Sequence, residues 1–136
     1  VTPHRLELEI TESLLMKDLE RTTASMRRFQ EAGIALSIDD FGTGYSSLGY
    51  LRQLPVDALK IDRSFVRDLP QSGDSAAICA AIIAMARELK LKVIAEGVET
   101  AEQLDFLRRH HCDLAQGYYI GRPVPVTELK GLPAGP

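Results

Sequence analysis

Five short apolar runs, each ending on an ionisable or amide side chain, constrain the fold of this 136-residue chain more than any other feature. The runs are Leu6–Ile10 before Thr11-Glu12, Ile34–Ile38 before Asp39-Asp40, Ala58–Ile61 before Asp62, Lys92–Ala95 before Glu96, and Leu114-Ala115 before Gln116. Segments with helical apolar spacing separate them. Because near-continuous apolar runs are typical of strands covered on both faces, the sequence predicts an α/β fold with a parallel sheet.

Residues that start or end helices set several boundaries of the predicted elements. Gly33 should end the first helix in a left-handed conformation, Pro55 should end the second, and Asp74 is a good N-cap for the third. Thr100 and Gln103 fit a capping box. We therefore predict strands at 5–11, 34–39, 57–62, 91–96 and 113–119, helices at about 18–32, 74–90 and 100–110, a loop and helix at 42–54, and a turn at 126–130.

The third of these helices carries an apolar stripe. Ile78, Ile82, Met85, Ala86 and Leu89 recur at helical spacing. We expect this stripe to pack against the sheet.

Composition and charge narrow the class of protein. Apolar residues make up 45% and charged residues 26% of the chain, an ordinary composition for one globular domain. The formal net charge of -3 provides no broad basic field, so we expect no binding of DNA or RNA. Cys79 and Cys112 lack metal-ligand spacing, and the sequence shows neither a signal peptide nor an apolar run of about 20 residues. We expect a cytoplasmic domain with reduced thiols and no membrane contact from this segment.

The carboxyl ends of parallel strands form one rim, where βα folds build their sites. Asp39 and Asp40 follow an apolar strand, and two adjacent carboxylates are costly unless cations neutralise them. A break at the strand end would turn both towards a metal pair, and Gly42 and Gly44 would let the backbone fold tightly beside it. The alternative is a helix-capping aspartate beside a surface aspartate.

Glu9 and Lys60 lie inside otherwise apolar strands, where charged side chains are seldom tolerated without a partner. A lysine within a ring of carboxylates keeps its charge and can position a water or a phosphate oxygen. Glu9 could instead share an exposed strand face with Glu7. Each of these features is weak alone, and their joint occurrence at successive strand ends is specific.

Three further strand ends supply polar groups to the same rim. Glu96 closes the fourth strand, and Glu99 follows it as a supporting carboxylate. Gln116 offers a neutral donor and acceptor that could orient water, and Glu12 could anchor a neighbouring loop through hydrogen bonds. The pattern predicts a metal-dependent catalytic rim.

Taken together, these residues resemble the EAL domain, the bacterial phosphodiesterase module that hydrolyses cyclic di-GMP. The matching segments are Glu9-Ile10-Thr11-Glu12-Ser13, Asp39-Asp40-Phe41-Gly42-Thr43-Gly44-Tyr45-Ser46-Ser47-Leu48, Leu59-Lys60-Ile61-Asp62, Ile94-Ala95-Glu96-Gly97-Val98-Glu99 and Gln116-Gly117-Tyr118. The resemblance covers nearly the whole chain.

The resemblance implies a role for each rim residue. The implied ligands of two Mg²⁺ or Mn²⁺ ions are Glu9, Asp39, Asp40 and Glu96. The implied catalytic residues are Lys60, which would hold the attacking water, Glu96, and Gln116 as a hydrogen-bonding partner. The implied supporting residues are Glu12, as an anchor of the loop that follows Asp39, together with Asp62 and Glu99.

Two features expected of this family are missing from the sequence. No Glu-Ala-Leu tripeptide occurs, and the chain contains no asparagine to serve as a ligand on the following strand. We expect both in a segment that precedes Val1. Residues 1–136 should then be the C-terminal part of a single EAL domain, an incomplete TIM-type (β/α) barrel with about five of its eight parallel βα units.

Three functional hypotheses follow. In the first, the intact parent is an enzyme that cleaves cyclic di-GMP to linear pGpG by a two-metal mechanism, while the isolated chain is inactive. In the second, a degenerate domain binds cyclic di-GMP as a receptor. In the third, the open sheet serves protein interaction and the chain forms a homo-oligomer.

The parent could be fused to diguanylate cyclase or sensory domains, which could tether it to the inner membrane.

Overall fold

A five-stranded parallel sheet, in the order β1-β2-β3-β4-β5, forms the centre of the computed structural model, which describes residues 1–44 and 48–131. The strands are β1 Glu7–Thr11, β2 Ala35–Phe41, β3 Ala58–Ile61, β4 Lys92–Glu96 and β5 Leu114–Gln116. Every neighbouring pair is parallel, so the predicted α/β architecture is confirmed. The largest boundary difference is in β5, which ends at Gln116 instead of residue 119. β1 begins two residues later than predicted, and β2 ends two residues later and so includes both aspartates.

The connections between the strands are mostly helical. The helices in the described ranges are α1 Glu12–Lys17, α2 Leu19–Glu31, α3 Leu48–Leu51, α4 Arg63–Val66, α5 Gly73–Glu88 and α6 Ala101–Arg109, with 3₁₀ turns at Pro3–Arg5 and Val126–Glu128. The sequence prediction missed α1 and α4, which are short and begin directly at strand ends. The predicted helix at 42–54 is helical only over Leu48–Leu51 among the described residues, and its residues 45–47 lie outside them. None of the described helices is long and apolar enough to cross a membrane.

Two of the predicted helix boundaries are confirmed and one is wrong. Gly33 follows α2 with φ +85°, and Thr100 and Gln103 form both hydrogen bonds of a capping box. The predicted N-cap of α5 is wrong: Ser72 caps this helix, its side chain accepting from the Ser75 amide at 3.3 Å. Ser72 is extended and Gly73 is already helical, so Asp74 lies in the first turn, where its charge favours the helix dipole.

The apolar face of α5 packs against the sheet with a small rotation from the predicted stripe. Ile82 and Ala86 are buried as predicted, but Ile78 is 38% exposed, and that part of the prediction is wrong. The fully buried stripe is Cys79, Ile82, Ile83 and Ala86. These residues follow the i, i+3, i+4, i+7 pattern of one helix face, and Ile78 lies one residue outside it.

The two thiols are free, in agreement with the sequence prediction. Cys79 is buried and Cys112 is partly buried. Burial raises the pKa of the Cys79 thiol to about 12 and that of Cys112 to about 11. Both side chains therefore remain neutral and act as small apolar groups.

Strand alternation separates the sheet into an apolar face and a polar face. Leu36, Ile38, Leu59, Ile61, Val93 and Ala95 point one way and are buried. Glu9, Ser37, Lys60 and Glu96 point the other way, and the register aligns Glu9 with Ser37 and Glu96 with Gln116. At β5 this polar face is open, with Leu114 53% exposed. The sheet is therefore an incomplete barrel whose would-be interior carries the charged residues.

Gly117 provides a test of how tightly β5 is held beside β4. A Cβ atom added there would lie 2.2 Å from the Val98 carbonyl oxygen, whereas a Cβ atom at Gly121 would meet nothing within 4 Å. We expect Gly117→Ala to lower the free energy of unfolding by roughly 2 kcal/mol or more, because backbone atoms must move to admit the methyl group. Urea denaturation of both variants checks this, and equal stabilities of Gly117→Ala and Gly121→Ala would contradict the predicted contact.

Candidate active site

The end of β2 contains the strand break that the sequence led us to expect. Asp40 has φ +54°, and the pairing of β2 with β3 shifts register between Ile38 and Phe41. The Asp40 amide donates to Asp39 Oδ1 at 2.9 Å. Consecutive side chains of a regular strand point to opposite faces, but this bulge brings both carboxylates towards the same side.

The bulge brings the two aspartates together with a glutamate from β4. Asp39, Asp40 and Glu96 each offer one carboxylate oxygen, and these atoms all lie within 4.8 Å of one another. An ion that binds oxygen at about 2.0–2.6 Å can contact three ligands with such a spacing. Carboxylate oxygens are also the ligands that Mg²⁺ and Mn²⁺ prefer. The residues therefore fit a hard divalent cation.

Lys60, on β3, forms ion pairs with carboxylates of β1 and β4. Its Nζ lies 2.5 Å from Glu9 Oε1 on β1 and 2.7 Å from Glu96 Oε1 on β4. The lysine is 4% exposed. Burial acts to lower the pKa of the Lys60 ammonium, but the hydrogen bonds and charges of Glu9 and Glu96 outweigh it and raise this pKa above its ordinary value. Lys60 is therefore a permanent positive charge within the acidic group.

Burial and neighbouring groups shift the pKa values of three acidic side chains in the site. Burial, a hydrogen bond to Asp62 and the charge of Asp39 raise the pKa of Asp40. Burial also raises the pKa of Glu96, and Lys60 offsets only part of this effect. At Asp62 burial acts in the same direction, but hydrogen bonds from Ser64 outweigh it and lower the pKa. Clustered carboxylates of this kind are relieved by a bound cation.

Glu12 connects α1 with the segment that follows the aspartate pair. Its carboxylate is 2% exposed and accepts the Gly42 amide at 3.3 Å and the Tyr50 hydroxyl at 3.1 Å. These two hydrogen bonds connect α1 to the residue after β2 and to α3. The other end of the segment, residues 45–47, lies outside the described residues.

The remaining sequence-predicted residues lie beside the carboxylate cluster. Gln116 is the register partner of Glu96, and its side chain is exposed. Asp62 caps α4 by accepting the Ser64 amide at 2.9 Å. Glu99 and Asp62 line a cavity of about 530 Å³ together with Arg63 of α4 and Arg67, which follows it. Glu9 belongs to the site through Lys60 and lies outside the three-carboxylate group.

Three residues of the site escaped the sequence analysis. Tyr50 gave no signal, because its partner Glu12 is 38 residues away. Ser37 is fully buried, and its Oγ has no hydrogen-bond partner in the described part of the chain. Its position two residues before Asp39, on the same face of β2, could have identified it. Gly97 has φ +75°, and a Cβ there would lie 2.6 Å from Arg63 Cβ.

The site and the sheet together match one known family. The family model of the EAL domain matches residues 1–123. The chain therefore belongs to the EAL domain family, as its sequence motifs indicated.

Individual relatives agree with this assignment. The chain is 58% identical over 125 residues to the cyclic di-GMP phosphodiesterase NbdA of Pseudomonas aeruginosa, covering 92% of this chain and 16% of NbdA. It is similar to the structure of the PaMucR phosphodiesterase in complex with c-di-GMP, with a TM-score of 0.90, 48% identity, and coverage of 93% of this chain and 51% of that one. A manganese and cyclic di-GMP complex of Klebsiella pneumoniae BlrP1 gives a TM-score of 0.84 at 35% identity, with 90% and 31% coverage.

These matches leave most of each curated relative's length unmatched. The chain spans 16–21% of the curated relatives, such as NbdA, and about half of the PaMucR phosphodiesterase chain. The similarity therefore concerns one part of larger proteins.

Proposed function

We propose that this chain is part of a phosphodiesterase domain that hydrolyses cyclic di-GMP to linear pGpG. The observation that carries the proposal is the convergence of Asp39, Asp40 and Glu96 within 4.8 Å, beside a buried lysine. The identity of 58% with a cyclic di-GMP phosphodiesterase supports it.

Divalent metal use is supported by the carboxylate geometry and by the manganese complex of the BlrP1 relative. We propose Mg²⁺ or Mn²⁺ as the cation, with Glu9, Asp39, Asp40 and Glu96 as its ligands in a two-metal site. Bound ions would supply the positive charge that activates water and neutralises the phosphate. Glu9 and Glu96 already share Lys60, so the lysine would keep their oxygens close together.

The other residues of the site would orient the reactants. Lys60 has a raised pKa and three N–H donors, of which Glu9 and Glu96 take two. The third would hold the attacking water or a phosphate oxygen. Gln116 would donate or accept one hydrogen bond from the end of β5. Glu12, Asp62 and Glu99 would support the site, the first through its bond to the Gly42 amide.

A second candidate function is a receptor that binds cyclic di-GMP without cleaving it. A receptor has no need of the acidic ligands, and all four that the resemblance implies for this part of the domain, Glu9, Asp39, Asp40 and Glu96, are present beside Lys60. Their presence favours the enzyme. Metal-dependent turnover separates the two functions, since a receptor would bind the dinucleotide and leave it intact.

We propose that residues 1–136 are the C-terminal part of one EAL domain and that further strands complete the barrel. Coverage of about half of the PaMucR chain supports this. The outer strands β1 and β5 each pair on one side only in the described sheet, so a second copy could cover them and make a homo-oligomer. The free cysteines favour a cytoplasmic location.

Replacement of Asp39 tests the metal assignment. In the complete domain, Asp39→Asn should lower kcat by about 10²-fold or more, because one preorganised charge is lost from the cation site. Asp105→Asn, on the exposed side of α6, is the matched control and should leave turnover unchanged. Near wild-type hydrolysis of cyclic di-GMP by Asp39→Asn at saturating Mn²⁺ would show that the assignment is wrong.

Replacement of Lys60 tests whether this residue acts on the reaction. We expect Lys60→Ala in the complete domain to lower kcat more than it weakens binding of cyclic di-GMP, because the lysine would contact the water or phosphate in the transition state. The exposed Lys92, on β4, provides the control Lys92→Ala. Loss of binding and of thermal stability together, with the folded fraction fully active, would instead assign Lys60 a structural role.

The 136-residue chain alone should be inactive or nearly so. Two family ligands, a glutamate and an asparagine, are absent from its sequence, and a two-metal site that lacks two ligands binds ions weakly. We also expect it to associate through its open sheet. A Mn²⁺-dependent assay with cyclic di-GMP, together with the mass in solution, checks both points, and a monomer with robust cleavage would overturn this expectation.

A further inference from the structure

Two donors hold the two oxygens of one buried carboxylate. The Tyr50 hydroxyl donates to Glu12 Oε1 at 3.1 Å, and the Gly42 amide donates to Glu12 Oε2 at 3.3 Å. Glu12 is 2% exposed and is the first residue of α1. The carboxylate therefore joins the tyrosine on α3 to the backbone just beyond β2.

The Glu12 backbone is fixed to the sheet, but its side chain needs partners to fix its orientation. Thr11 ends β1 and caps α1, with its hydroxyl accepting from the Leu14 amide at 3.3 Å. The Gly42 amide restrains one carboxylate oxygen of Glu12. A second donor, on the other oxygen, adds a restraint on the plane of the group.

Tyr50 is well placed to be this second donor. Its ring is partly buried against the apolar core. It also lines a cavity of about 520 Å³ between α2 and the region of α3, together with Leu19 and Leu54. The packing of the ring against the core places the hydroxyl within hydrogen-bonding distance of Glu12.

The backbone that Glu12 holds is the backbone that shapes the carboxylate pair. Asp40 has φ +54° and Gly42 has φ +96°, and the first of these is unfavourable for a residue with a side chain. A Cβ atom added at Gly44 would lie 3.6 Å from Glu12 Oε2, so the carboxylate also borders this residue. Contacts at Gly42 and Gly44 therefore constrain the chain two and four residues beyond Asp40.

We propose that Tyr50 is a positioning residue, which holds Asp39 and Asp40 in their converging arrangement by orienting the Glu12 carboxylate. Tyr50 acts through Glu12 and is not assigned any contact with the cation or the reacting atoms. The inference rests on the proposed function only in naming what the aspartate pair binds.

The variant Tyr50→Phe removes one hydroxyl and keeps the ring. In the complete domain without added cation, we expect amide hydrogen exchange in a peptide spanning 39–44 to become about 5-fold faster or more, the scale of one hydrogen bond to a charged acceptor. Mn²⁺ should bind roughly tenfold more weakly, as when an outer partner of a ligand is lost. Tyr119→Phe, at a tyrosine that is 49% exposed, is the matched control and should change neither quantity.

A double-mutant cycle with Glu12→Gln separates positioning from general destabilisation. If Tyr50 acts through Glu12, the effects on exchange and on Mn²⁺ affinity will be smaller in the double variant than the sum of the single effects. Additive effects, or wild-type exchange in Tyr50→Phe, would overturn the proposal. Failure of the proposed function can be told apart from failure of this proposal. A domain could bind Mn²⁺ and show non-additive effects of the two substitutions, yet leave cyclic di-GMP intact. That result would refute the phosphodiesterase function and retain the role of Tyr50.

Discussion

The polar face of this sheet depends on two ion pairs of the Lys60 ammonium, one with Glu9 of β1 and one with Glu96 of β4. Lys60 lies on β3, and β2 separates β3 from β1. The contact with Glu9 must therefore cross the face of β2 that carries Ser37 and Asp39. Without the ammonium, the partly buried Glu96 and the exposed Glu9 would repel each other there. Removing one member of such a group is costly because it leaves the others uncompensated. The lysine thus fixes the mutual positions of three strands at the level where the site is built.

The second requirement is the backbone break at Asp40. A regular strand would send Asp39 and Asp40 to opposite faces, and a positive φ at a residue with a side chain costs about 1–3 kcal/mol. This cost is offset by the partly buried hydrogen bond from the Gly42 amide to Glu12 and by the apolar packing of Phe41. Strain of this kind persists only where the surrounding structure holds it. Glu12, at the start of α1, therefore contacts both the residue that follows β2 and Tyr50 of α3.

The sequence was sufficient for the five strands and for the charged residues that the structure brings together at their ends, and insufficient for the contacts among them. Apolar runs and rim positions predicted all five strands and pointed to Asp39, Asp40, Lys60 and Glu96, because these features depend on local alternation. The prediction misses the short helices α1 and α4 because each begins at a strand end, where the capping residues Thr11 and Asp62 also end the apolar runs of β1 and β3. The Tyr50 contact depends on how α3 packs against α1, and no local pattern encodes it.

The balance of charge on this rim also constrains how the proposed reaction can begin. Glu9, Asp39, Asp40, Asp62 and Glu96 lie around the ammonium of Lys60. Burial first, and the neighbouring carboxylates second, raise the pKa values of Asp40 and Glu96. Cyclic di-GMP carries two phosphodiester charges, so it would meet an acidic surface. Divalent cations on the carboxylates would make this surface complementary to a phosphate. In the proposed reaction, the acidic residues that would bind the cations would therefore also make substrate binding depend on those cations. Lys60 supplies a buried positive charge within the carboxylates themselves.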